Sequence, residues 1–219
     1  MPKATPLVVS ASLLVAACST INPQIGQLET FKQEAAARNW QAIADTRVAC
    51  APESQGCAQS HQIKADACMS LGNNAPSAQQ AAEYDCAITE YQAAVAAQLK
   101  LPDPAIDLAV LQKGELEALL RRRDHSRSDR EATPFNRALL TEAATVVKAA
   151  PAQAAGYYYL GDALVSQALS EQPPTSCETL HRAAATLAHA SQQPGGYADA
   201  ITQRRRDIAN AAQAGGCKL

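Results

Sequence analysis

The chain is poor in the residues from which sheet cores, nucleic-acid surfaces and catalytic centres are usually built. Aromatic residues make up 4% of its 219 residues, with two phenylalanines and one tryptophan. Runs of Val and Ile at strand spacing are rare, which argues against β-strands as the main element. Basic and acidic residues nearly balance, for a formal net charge of −2. That removes the basic face a nucleic-acid partner requires. None of the four histidines (His61, His125, His181, His189) has a second histidine three or four residues away, and no Cys-x-x-Cys occurs. The common helical metal pair and the zinc or thioredoxin-like spacings are therefore absent. There is also no Gly-rich phosphate loop, no Gly-x-Ser-x-Gly and no His-Glu-x-x-His. Lacking a nucleophile, a general base or a ligand set in any such pattern, the chain reads as a non-enzyme with no cofactor, no metal and no small-molecule substrate.

What the chain does have is alanine, which costs least in a helix and lets helices pack closely. The expected class is all-α. Before the helices comes a targeting segment. Lys3 supplies a short positive region, and Pro6 to Ala17 is an apolar run too short for a stable bilayer span. It ends Val15-Ala16-Ala17-Cys18, which resembles the bacterial lipobox. That resemblance implies a signal peptide over 1–17, acyl chains (palmitate among them) on Cys18, and a lipidated tether over 18–27. Each buried methylene of such chains is worth about 0.8 kcal/mol, so two chains hold stably. Ser19, in place of the aspartate that retains lipoproteins in the inner membrane, implies the outer membrane and a periplasm-facing domain. An ordinary signal peptide is the competing reading.

The folded part is expected over 28–217. Helices are predicted at Leu28 to Arg38, Trp40 to Val48, His61 to Gly72, Ser77 to about Lys100 with Ser77 as cap, and Ile106 to Arg123. Asp124 to Ala132 lacks an apolar face and is predicted to be an exposed loop, with Thr133-Pro134 then capping a helix through Leu139, Ala143 and Val146. Pro151 lies beyond that helix, and a more polar helix over Tyr197 to Ala214 follows Pro194-Gly195-Gly196.

Two stretches share a frame. Tyr157-x-x-Leu160-Gly161-x-x-Leu164 is followed by Ala183-x-x-x-Leu187-x-x-Ala190, and Cys68-x-x-Leu71-Gly72-x-x-Ala75 by Ala87-x-x-x-Tyr91-x-x-Ala94. Both resemble the tetratricopeptide repeat, a pair of antiparallel helices. The resemblance implies a right-handed helical-hairpin solenoid of about four hairpins plus a C-terminal capping helix. Both copies carry extra residues between the halves, the second around Pro173-Pro174.

With Cys18 set aside, Cys50, Cys57, Cys68, Cys86, Cys177 and Cys217 remain, an even count behind an export signal. Fifteen connectivities are possible for six cysteines. The helical layout ranks nearest-neighbour pairing first, since it would pin three successive helix contacts. A catalytic thiol, with His61 as the nearest base in sequence, is the weaker alternative.

Glu115 and Glu117 precede Arg121 to Arg123 at ion-pair spacing, and the Arg-rich segments read as solvated faces. Three successive tyrosines cannot all face a core, since neighbours on a helix are about 100° apart. With Tyr157 at the repeat's core position, Tyr158 or Tyr159 is expected to be partly exposed. Repeat resemblance makes them candidates for partner binding, against the alternative that they pack on the preceding hairpin. The expected function is protein–protein interaction: an outer-membrane lipoprotein scaffold for another envelope protein, in an envelope or secretion machine. The alternative is an immunity lipoprotein that neutralises a periplasmic toxin.

Overall fold

A computed structural model describes residues 23–218 of the chain. The expected signal peptide, the acylated Cys18 and the tether as far as residue 22 lie outside the described residues. Nine helices and no strand occur among the described residues: α1 Pro23–Ala36, α2 Trp40–Asp45, α3 Cys57–Asn74, α4 Ser77–Lys100, α5 Leu108–Asp124, α6 Asp129–Ala149, α7 Ala154–Ser170, α8 Thr175–Ala190 and α9 Ala198–Gly215. Consecutive helices pack on one another, giving four pairs and a last helix, α9, laid against α7 and α8. In addition α3 touches α5, α5 touches α7 and α7 touches α9, so these four form one row.

Among the boundaries that differ from the sequence expectation, four have a clear local reason. The first helix begins at Pro23, so residues 23–27 of the expected tether are helical. Proline suits a first turn, where its missing N–H would have no partner. Ser77 is the first residue of α4 and makes no cap bond. Helix α5 starts at Leu108 because the Asp107 carboxylate accepts from the Ala109 N–H at 2.8 Å. The stretch expected as a loop to Ala132 is helical from Asp129. The Ser128 hydroxyl accepts from the Glu131 N–H at 3.3 Å, and the Glu131 carboxylate reaches back to the Arg127 N–H at 2.9 Å. This is a near relative of the capping box, and Pro134 falls inside the helix rather than at its start.

Small residues set the helix spacing. A Cβ on Gly72 would lie 2.7 Å from the Tyr84 ring, and one on Gly161 2.6 Å from Leu187. The same crowding brings Gly114 against Tyr91. Each glycine of the Leu-Gly motif thus seats a large side chain of the next helix, although the two copies use different positions to do it.

The largest apolar cluster spans α5 to α9, built from Leu116, Leu119, Leu139, Tyr159, Leu164 and Leu187 among others. Smaller, alanine-rich clusters hold α1 to α4, such as Phe31, Ile43 and Ala67. Helix α9 buries Ile201, Ile208 and Ala212 on one stripe and leaves a polar face outward, as a helix closing a row must. Three disulfides join Cys50 to Cys57, Cys68 to Cys86 and Cys177 to Cys217. The first closes the α2–α3 loop, the second crosses α3 and α4, and the third ties α8 to the end of α9.

Candidate functional site

The tyrosine triplet is not an exposed patch. Tyr158 is 8% and Tyr159 1% exposed, while Tyr157, expected in the core, is half-buried against His189 with ring centroids 4.2 Å apart. Helix α7 is covered on nearly every side, so the expected inward face was assigned to the wrong residue of the three. Tyr197, from the α8–α9 connection, stacks on Tyr158 at 4.6 Å and meets Tyr159 edge-on at 5.9 Å. The Tyr159 hydroxyl donates to Glu117 at 2.6 Å. Burial pushes this phenol far above its usual range, and the neighbouring Glu117 carboxylate adds to the effect.

The arginines are also misplaced by the sequence reading. Glu117 pairs with Arg121 at 2.7 Å, as i,i+4 spacing predicts. Arg122 and Arg123 instead are buried. Arg122 bridges Asp85 at 2.9 Å and Glu131 at 2.8 Å, and lies over the Phe135 ring. Arg123 donates to Asp162 at 2.6 Å and to the Asn136 side-chain oxygen at 3.1 Å. Asn136 in turn donates to the Ala163 carbonyl at 3.0 Å. The other Asp162 oxygen accepts from Arg204, which also reaches Asp207. The Asp162 side chain has no solvent exposure, and Arg204 is 30% exposed. Burial opposes the Arg204 charge, but Asp162 outweighs it and moves the guanidinium further up.

This network floors a groove. A cavity of about 360 Å³ is lined by Arg123, Asp162, Ser166, Leu169 and Arg204. A second, of about 390 Å³, lies across Ser166 between α6 and α7, with Thr133, Asn136, Arg137 and Gln167 on its walls. Leu169, at 68% exposure, stands on the rim of the first. The groove combines fixed charges on its floor, hydroxyl and amide groups on its walls, and an apolar side chain held in solvent. None of the residues lining either cavity is a nucleophile paired with a base. Sequence spacing missed it because its members come from α5, α6, α7 and α9. The one local sign was Asp162, a carboxylate in the most apolar of the described helices.

Glu115, which i,i+4 pairing was expected to explain, is 5% exposed instead. Burial pushes its carboxyl up to about 7; a hydrogen bond with Gln92 opposes this and the nearby Glu142 carboxylate adds to it. Because the folded value is raised, the folded state holds the proton more tightly between about pH 4.5 and 7. Stability contributed by this group is present below about pH 4.5 and is lost as pH rises through about 7. Glu115→Gln is expected to flatten that slope and to be the more stable form at pH 8. Urea unfolding at a series of pH values checks it, and a slope unchanged in the variant rules the account out.

The chain matches no protein-family model, no curated protein sequence and no solved structure.

Proposed function

We propose that this protein is a lipid-anchored binding scaffold of the bacterial outer membrane, holding another envelope protein in the α5–α9 groove. The observation that carries the reading is the groove itself, with a buried Arg123–Asp162–Arg204 network beneath the exposed Leu169. Arginine is enriched among the residues that concentrate binding energy in protein interfaces, and fixed charges set register and steer encounter. The tetratricopeptide-like, right-handed solenoid belongs to the same proposal. It is supported by the four helix pairs and by the row α3, α5, α7, α9, since contacts between successive first helices are what such a solenoid requires. The anchor rests on the Val15-Ala16-Ala17-Cys18 sequence and the outer membrane on Ser19. The groove replaces Tyr158 and Tyr159 as the contact surface, because both rings are inside.

Crosslinking in cells, with the anchor kept, followed by capture from the outer-membrane fraction and mass spectrometry, tests the whole reading. Leu169→Asp removes the rim side chain at a site where little stability is at stake. It is expected to lower recovery of the specific partner at least about tenfold, the scale of an interface hot spot. Recovery unchanged by Leu169→Asp would reject the groove. A single secreted toxin as partner would favour the immunity alternative, and Cys18→Ala leaving the protein membrane-bound would reject the lipid anchor.

A further inference from the structure

The Cys50–Cys57 bridge has a neighbour that the other two bridges lack. The two sulfurs and a ligand nitrogen of His61 lie within 4.8 Å of one another, the only such group of three His, Cys, Asp or Glu residues among the described residues. Cys57 and His61 stand one turn apart on α3 and so share a face. Cys50 comes from the loop before it, with its Cα 5.7 Å from that of Cys57. The histidine is already oriented. Its Nδ1 contacts the Glu90 carboxylate at 2.6 Å, and Lys64 holds the other Glu90 oxygen at 3.0 Å. A carboxylate on Nδ1 leaves Nε2 as the nitrogen available to a metal, the arrangement that supports histidine ligands in zinc sites. The sequence spacing, Cys-x6-Cys-x3-His, escaped the Cys-x-x-Cys test.

We propose that Cys50, Cys57 and His61 form a redox-gated zinc site, closed while the disulfide is intact and opened by its reduction. The chemistry balances simply. A dithiol reductant transfers two electrons and two protons to the bridge, becomes a disulfide itself, and leaves the Cys50 and Cys57 thiols. Zinc binding then releases both thiol protons, because the thiolates are the ligands. Metal–sulfur and metal–nitrogen lengths of about 2.3 and 2.0 Å set tetrahedral ligand edges of roughly 3.5–3.8 Å. The sulfurs therefore separate once the bond is cut. Cys57 is buried while Cys50 and His61 are half-buried, and these three ligands leave the fourth position without a protein donor among them. An open fourth position gives a site that takes water or one further donor, unlike a sealed structural zinc.

The test uses the full chain, reduced on an immobilised dithiol that is then removed under inert gas. Cobalt(II) is added as the probe, and the thiolate-to-cobalt charge-transfer band and tetrahedral ligand-field bands are followed, with zinc as competitor. The reduced chain is expected to bind cobalt with both bands, and the oxidised chain to show neither. Glu90→Gln should weaken the reduced chain's affinity about 10–100-fold, the usual cost of losing a carboxylate behind a ligand histidine. His61→Ala and Cys50→Ser should weaken it further, while Cys68→Ser leaves it unchanged. Circular dichroism on each sample reports whether the helices persist. Equal loss in Cys50→Ser and Cys68→Ser would mean that unfolded thiols bind the metal and would overturn the proposal. Unchanged affinity in His61→Ala would overturn it too, as would no cobalt bands in the reduced chain.

Discussion

Asp162→Ala is expected to destabilise the protein by about 3–5 kcal/mol, the range for removing one partner of a buried ion pair. The side chain is fully enclosed, and each of its oxygens accepts from a guanidinium. The two arginines do not suffer equally. Arg204 is partly exposed and keeps Asp207, so it can turn to water. Arg123 is 6% exposed and keeps only Asp124 and the Asn136 oxygen. Its charge would remain buried with less compensation, and that is where the cost arises. For a chain of this size the loss corresponds to a midpoint lowered by about 10 °C. Urea and thermal unfolding followed by circular dichroism measure it. The double change Asp162→Leu with Arg123→Met removes both buried charges and is expected to recover most of the loss. A cost below about 1 kcal/mol in Asp162→Ala would mean that water replaces the carboxylate, and the groove floor would not be rigid.

Tyr159→Ala is expected to cost a similar amount, about 3–5 kcal/mol, as for other large aromatic truncations in a core. The ring is 1% exposed and touches Tyr158 and Tyr197, so its removal opens a cavity at the junction of α5, α7 and the α8–α9 connection. Glu117 would lose a hydrogen bond and keep Arg121 alone. Tyr159→Phe keeps the ring and should cost only about 1–2 kcal/mol, the share of the hydroxyl. Tyr157→Ala, on the half-buried side, should cost less than Tyr159→Ala. Unfolding midpoints of the three variants give the order. Stability retained in Tyr159→Ala, with partner capture lost, would restore the exposed-tyrosine reading and displace the present one.

The helix ends were legible at Gly72 to Pro76 and around Pro151, where glycine and proline mark them, but not at Pro23, Gly56 or Pro134. They were less so where a polar side chain does the capping. Ser128 with Glu131 starts a helix inside a stretch that composition alone reads as loop, and Asp107 with Ala109 starts one two residues later than the apolar spacing predicts. The disulfide order followed from the helix order, because residues flanking one turn on antiparallel helices are brought together whatever the finer packing. The groove was not legible. Arg122 and Arg123 sit among charges in sequence, and their burial depends on Asp85 and Asp162, 37 and 39 residues away. The tyrosines failed for a related reason. Periodicity identifies an apolar face on a helix covered from one side, whereas α7 is covered from several and has no single inward face.

The Cys177–Cys217 bridge bears on how the molecule would carry mechanical load. Arg204, at the groove, lies between the two bridged cysteines. With the lipid end held in a membrane, as we propose, tension from a partner gripping α9 cannot strip that helix away by itself. The sulfur link passes the pull to the start of α8, so the two helices share it and peel as a unit. Only the segments outside the three covalent loops can lengthen under such a pull, and α5 to α7 are among them.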